Sequence, residues 1–264
     1  MSIIRHVVGY VFVMLLAGCA SMQNAPTADE RQALAPKGTL RVALWLGSPA
    51  HVVKDPKSGE MKGVGYDLGR EVASRAGLSF EPVMYPAIGP LLDGAKSNAW
   101  DIAFVGVNPD RGRFLDFSDK YIEIEFGYLV PADSRISTIA DVDKSGVRIA
   151  VPDRGAADVF LTGALKSATI IRAGGLTGSL DLVKSGKADV FAANKSNLFE
   201  ISSQLPGSRV LDGRPGSEEQ AIAMPKGRDL GINYVRRFVE EAKASGLVAA
   251  TMERAGLRGA VVAK

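Results

Sequence analysis

The 264-residue chain holds one cysteine, two histidines and few aromatic residues, and neither sign of charge dominates it. A single cysteine excludes an intramolecular disulfide and a cysteine-based zinc site. Two histidines do not suffice for a His-rich metal centre, so neither a metal nor a cofactor is expected. Lys and Arg number 32 against 29 Asp and Glu, without a dense basic run, which argues against nucleic-acid binding. The apolar run at residues 7–16 falls well short of the roughly 20 residues of a membrane-spanning helix. What remains is ordinary: 46% hydrophobic and 23% charged residues, with 29 Gly and 13 Pro. That balance excludes a disordered or collagen-like chain, and the length fits one large domain or two modest ones.

The N-terminus reads as an export signal over residues 1–18. Arg5 supplies the positive region, VVGYVFVMLL the apolar one, and Ala17 and Gly18 the small residues before Cys19. Leu16-Ala17-Gly18-Cys19 resembles the bacterial lipobox, which implies cleavage before Cys19 and lipid on its thiol, a firm membrane anchor. Ala20 stands where Asp tends to retain a proteobacterial lipoprotein in the inner membrane. That favours the outer membrane. Residues 19–38 are polar, Ala-rich and aperiodic, and are expected to form a tether.

Beyond residue 38 the pattern alternates. TLRVALWL (39–46) reads as a strand. In 63–77, Leu68, Val72, Ala73 and Ala76 share one helical face and Gly77 fits the stop. A strand at 79–84, a short helix at 88–97 and the apolar strand DIAFVGV (101–107) follow. After a strand at 126–133 the alternation restarts. Strands fall at 147–151, 169–173 and 188–193, with helices near 156–166, 178–186 and 195–204. A strand at 220–224 precedes helices at 228–245 and 247–257. SGE at 58–60 reads as a turn between short strands. Two βαβ sets predict an α/β fold of two lobes with a cleft between them, the usual place for a ligand.

In order and spacing, several pieces resemble the substrate-binding proteins of bacterial ABC importers, in the group that binds polar amino acids. They are GTLRVAL, GVGYDLGREVASRAGLSFEPV, YPAIGPLLDGAKSNAWDIAFVGV, NPDRGRFLDFSDKY and AIAMPKGRDLGINYVRRFVEEAKASG, spread over Gly38 to Leu257. The resemblance implies a type II periplasmic-binding-protein fold with two hinge crossovers, near 128–132 and 222–227. Lobe one would comprise 39–131 with 225–264, and lobe two 132–224.

The resemblance also implies site residues. Arg111 matches the arginine that grips a ligand carboxylate through its planar fork; by itself, Asn-Pro-Asp-Arg-Gly reads as turn chemistry. Arg113 is the competitor, two residues past the motif position. Asn108 holds the position of the motif's Thr. The run from Asp101 to Arg111 is about two residues shorter than in typical amino-acid binders. Gly106 ends the strand that offers backbone atoms to the ligand, or is a plain turn glycine. Tyr85 matches an aromatic cover, and Trp45 and Ser48 follow the first strand, Trp45 in the cleft or in the core. Gly155 and Ala156 open a helix whose free N–H groups favour anions, without the hydroxyl the family places there. Asn194 stands where amino-acid binders carry an Asp for the ligand ammonium. Either another acid compensates, with Glu123 and Glu125 as candidates, or the ligand is no simple α-amino acid. His51, the only histidine beyond the signal, reads as a surface loop residue.

The function so implied is that of a monomeric periplasmic lipoprotein. It would close its lobes on a small carboxylate-bearing solute and hand it to an ABC permease, without catalysis. Two alternatives share the fold: a cyclohexadienyl dehydratase-like enzyme, and a ligand-sensing lipoprotein without transport.

Overall fold

Strand β1 (Thr39–Trp45) is buried at every residue but its first, as its apolar run requires of a strand covered on both faces. The computed structural model to which it belongs describes residues 25–55 and 58–264; the expected signal and Cys19 lie outside these. A short hairpin, β2 (Val53–Lys54) with β3 (Met61–Lys62), flanks the expected turn at 58–60. Then come α1 (Val64–Ala76), β4 (Ser79–Tyr85), α2 (Ile88–Lys96) and β5 (Ile102–Gly106). β4 and β5 flank β1 in parallel, forming the sheet of the first lobe.

The second lobe repeats the scheme. β6 (Leu115–Val130) leads to β7 (Arg148–Pro152), α3 (Ala156–Ala164), β8 (Thr169–Ala173), α4 (Gly175–Lys184), β9 (Val190–Asn194) and α5 (Lys195–Ser202). β8 and β9 flank β7 in parallel. β10 (Arg209–Val210) and β11 (Ser217–Pro225) bring the chain back. The helices α6 (Asp229–Ala244) and α7 (Leu247–Ala255) and the strand β12 (Ala260–Val262) complete lobe one.

β6 joins the two sheets. Its residues 115–125 pair with β11, and residues 126–129 with β9. The first crossing therefore lies at 125–126, ahead of the expected 128–132. The return lies between β10, which still pairs with β6 at Leu129 and Val130, and β11, which pairs with β5. That places it before residue 217 and not at 222–227, so Ser217–Met224 belongs to the lobe-one sheet. The polar start Ser217-Glu218-Glu219 hid this strand's true length. β12 adds a further strand against Ile122–Ile124.

The expected tether is ordered over part of its length. Ala28–Leu34 is a helix, here αN, opened by a capping box in which Thr27 and Glu30 exchange hydrogen bonds. Leu34 is fully buried in the lobe-one core and Glu30 pairs with Arg237 at 2.8 Å. A tether reading fails at these residues because one apolar side chain finds a core seat.

One device occurs in both lobes. The Arg41 backbone and guanidinium donate to Asp101, just before β5, and Arg148 grips Asp189, just before β9, in the same way. Each pair pins the start of the strand that opens its lobe to the strand whose far end reaches the cleft. In lobe one the carboxylate is wholly buried and also takes Arg228 at 2.8 Å. Burial alone would raise the Asp101 pKa, but its hydrogen bonds from Arg41 and Arg228 hold it below the usual carboxylate range.

Candidate functional site

The lobes meet along their cleft. Arg154, from the turn after β7, forks onto both oxygens of Asp93 on α2, at 3.1 and 2.8 Å. Leu176 of α4 packs against the lobe-one cluster of Trp45, Ile88 and Leu91 as well as against its own lobe. Between the lobes lies an inner cavity of about 30 Å³, flanked by two outer cavities of about 380 and 570 Å³.

Arg111 lines all three cavities. It opens a single 3₁₀ turn, Arg111–Arg113, and the Asn108 side chain accepts its backbone N–H at 2.9 Å. The residue is 4% exposed. It donates from Nη1 to the Gly106 carbonyl at 2.8 Å and from Nη2 to the Arg154 carbonyl, in the other lobe, at 3.1 Å. Burial lowers its pKa and the charge of Glu218 opposes that; an arginine nonetheless stays protonated. Arg113, the competitor, is exposed and pairs with Asp110.

Trp45, Gly106, Gly155, Ala156 and Asn194 join Arg111 on the inner cavity wall, and Asn108 lines both outer cavities. A Cβ at Gly106 would collide with the Glu218 carboxylate and crowd Arg111 Nη1, which accounts for glycine there. Gly155 caps α3, and a Cβ on it would press on the Pro152 carbonyl. The first turns of α3 and α5 both face the cavity, so their N–H ends add positive character to its lobe-two wall.

Tyr85 and Ser48 are not brought to these cavities. Tyr85 pairs with Trp45 across β4 and β1, and its hydroxyl lies against Gly94 of α2. Ser48 is buried, and its carbonyl accepts the His51 N–H in a tight turn. Glu123 and Glu125 also stay off the inner wall, held by Ser217 and Arg214 and by Lys195.

His51 departs furthest from expectation. It is 2% exposed, meets Trp45 edge-on at 5.8 Å and lines the inner cavity. The loop is drawn inward because the first N–H groups of α1, from Val64 to Tyr66, donate to the carbonyls of Pro49, Ala50 and His51. Burial first, then the charge of Arg111, push the imidazole down to a pKa of about 3. It is neutral.

The residue that the sequence hid is Glu218. It lies on β11, 8% exposed, on the inner wall beside Gln220. Its Oε1 accepts from Asn194 Nδ2 at 2.5 Å and from Gln220 Nε2 at 3.0 Å. Burial raises its pKa, while Arg111's charge and the two amides hold it back in part. Strand alternation was the available signal: Glu218, Gln220 and Ile222 share one face, whereas Glu219 is exposed and pairs with Lys120.

Among the described residues no helix is long and apolar enough to cross a membrane. A family model described as bacterial extracellular solute-binding proteins, family 3, matches residues 40–256. The chain is 22% identical over 246 residues to the ABC transporter glutamine-binding protein GlnH of Bacillus subtilis (strain 168), covering 89% of each. A solved solute receptor for L-cysteine of Neisseria gonorrhoeae is 22% identical with a TM-score of 0.75, over 87% of this chain and 94% of that one. An ancestral amino acid-binding protein described as a precursor of cyclohexadienyl dehydratase is 23% identical with a TM-score of 0.72, over 85% and 98%.

Proposed function

Since the chain belongs to the bacterial extracellular solute-binding proteins of family 3, we propose that it captures a small carboxylate-bearing solute at Arg111 and delivers it to an ABC permease. One observation carries this reading. Arg111 is a buried cation whose hydrogen bonds go to two carbonyl groups, one in each lobe, and to no carboxylate. A guanidinium so placed keeps N–H donors for a planar anion, and a dry cleft strengthens that pairing. The helix starts of lobe two favour the same charge.

Closure supplies the mechanism. A solute that touches Arg111 from lobe one and the α3 and α5 starts from lobe two contacts both surfaces only when the lobes meet, so its binding shifts the open–closed equilibrium. The Asp93–Arg154 pair adds to the closed arrangement. The permease reads that arrangement. The reading needs no cofactor, metal or chemical step, and a monomer suffices. The apolar run at 7–16 and the Leu16-Ala17-Gly18-Cys19 motif support export and a lipid anchor on the periplasmic side, with Ala20 favouring the outer membrane.

The test is a thermal-shift screen of residues 20–264 against amino acids, organic acids and their methyl esters. Bound solute raises the melting temperature by mass action. The expected result is a rise with at least one free carboxylate and none with its ester. Equal shifts from acid and ester contradict the proposal.

A further inference from the structure

The chain crosses between the lobes at 125–126 and again before residue 217, and a further run lies against the first crossing. It is the segment after α7, which falls outside the stretch 40–256 shared with the family. α7 stops at Gly256, in the left-handed region, and Leu257 packs against the lobe-one core. β12 then pairs with Ile122–Ile124 of β6. The Ala263 N–H donates to the Tyr121 carbonyl at 3.1 Å, and the Glu125 N–H to the Gly259 carbonyl at 2.9 Å. Successive residues of a strand direct their backbone polar groups to alternate edges. Tyr121 and Glu125 face β12, whereas the Phe126 N–H donates to Gly216 and the Tyr128 carbonyl accepts from Leu211, on the opposite edge. β12 and β9 therefore share one edge of β6 and meet end to end at the crossing, where Gly259 abuts Lys195, the residue after β9.

The contact there is closely fitted. A Cβ on Gly259 would lie 2.8 Å from the Lys195 Cβ, and one on Gly127 of β6 would lie 2.6 Å from the Lys195 Cγ. Two glycines, one on each side of the crossing, thus leave a slot for the Lys195 stem. Gly259 also has a φ of +70°, a second reason for glycine at that position. The Lys195 ammonium pairs with Glu125 at 2.9 Å. One residue before Gly259, the Arg258 guanidinium sits over the Phe199 ring of α5, 4.4 Å from its centroid. Arg258 and Gly259 belong to lobe one, while Lys195 and Phe199 open the last helix of lobe two.

We propose that Arg258–Lys264 is a strap across the hinge, which biases the lobes toward the closed arrangement before any solute arrives. Rotating lobe two one way drives Lys195 into Gly259, where the fit leaves no slack. Rotating it the other way lifts Phe199 off Arg258 and parts Lys195 from Glu125. Both motions cost free energy, so the strap holds the lobes near the angle seen here. A protein already partly closed loses less affinity to the closing step, because more of it is binding-competent at the outset.

Two spin labels read the lobe angle without any solute, so the outcome is independent of what Arg111 binds. Residues 20–264 lack cysteine, and Lys96→Cys on α2 with Gly163→Cys on α3 place the only labels on opposite walls of the largest outer cavity. A side chain at Gly163 meets open space. Pulsed electron–electron resonance then compares this labelled protein with the same protein carrying Arg258→Ala, and with one stopped after Leu257. Arg258 is exposed, so its substitution leaves β12 and the fold in place and keeps the test decisive if the shortened chain does not fold. The expected result is a closed population in the solute-free parent. Arg258→Ala raises the ratio of open to closed about 3-fold, and the shortened chain raises it further. Distance distributions that coincide for the parent and Arg258→Ala overturn the inference, because the segment then only covers the edge of β6. A shift to shorter distances overturns it as well, since the strap would then prop the lobes apart. So does a parent that is wholly open without solute.

Discussion

Arg111, His51 and Glu218 stand within one small cavity, and each answers its burial differently. Arg111 stays charged because no physiological pH deprotonates a guanidinium. His51 gives up its proton, with a pKa of about 3. Glu218 sits between, its pKa raised by burial and held back by Arg111. The histidine has a measurable consequence. Its folded pKa is far below the unfolded value near 6.5, so below that pH the unfolded chain binds the extra proton. The stabilisation is complete above pH 6.5 and is lost as pH falls toward 3, at up to about 1.4 kcal/mol per unit. Glu218 acts with the opposite sign, since a raised carboxyl pKa favours the folded state as pH falls. Urea titrations of wild type and His51→Gln at pH 4.5 to 7 isolate the histidine: the wild type should lose stability faster on acidification. Parallel curves for the two proteins contradict this assignment.

At this scale the candidate residues Arg111 and Gly106 came from the family resemblance of the run Asn-Pro-Asp-Arg-Gly and the strand before it; local chemistry by itself reads that run only as a turn. Glu218 was not legible, because its burial comes from residues far away in sequence: Gly106, Arg111 and Asn194. His51 was missed for the same kind of reason. A loop residue looks exposed until α1 draws the loop beneath its first turn, a packing that also needs Gly63, where a Cβ would strike the His51 carbonyl. The expected lack of an anion at position 194 is real, and Asn194 now donates to a carboxylate on the neighbouring strand.

At the scale of elements, periodic segments were read closely. The helix expected at 63–77 spans Val64–Ala76, and the strand at 169–173 matches Thr169–Ala173. The failures are strands whose pattern is mixed. Leu115–Glu125 mixes charged and apolar residues without a clean alternation, and Asp119 and Lys120 at its middle are exposed, so only the strand's apolar second half was recognised. The repeated Arg–Asp clasp gives this scale its prediction. Asp101 is wholly buried between Arg41 and Arg228, so Asp101→Asn should cost about 3–5 kcal/mol, the usual result of leaving a buried partner uncompensated. Asp189 and Arg148 are more than a third exposed, and Asp189→Asn should cost about 1 kcal/mol or less. Chemical unfolding of both variants checks the contrast; equal losses would show that the two clasps do not differ as their burial implies.

The whole molecule is two lobes, each with a parallel core of three strands, joined through β6 and β11, with the buried cation Arg111 placed where they meet. Two-lobe architecture followed from the repeated βαβ pattern. The positions of the crossings did not, because a hinge strand serves two sheets and its sequence answers to both. β12 and the contact of Gly259 with Lys195 add a third run of chain beside the hinge, which the short terminal sequence gave no sign of. The account as a whole depends on a solute that bridges the lobes through Arg111. Its most direct test is calorimetric titration of wild type and Arg111→Met with the solute that gives the largest thermal shift. The account predicts affinity at least about 100-fold weaker in the variant, with the fold intact by melting temperature. Equal dissociation constants for the two proteins would contradict it.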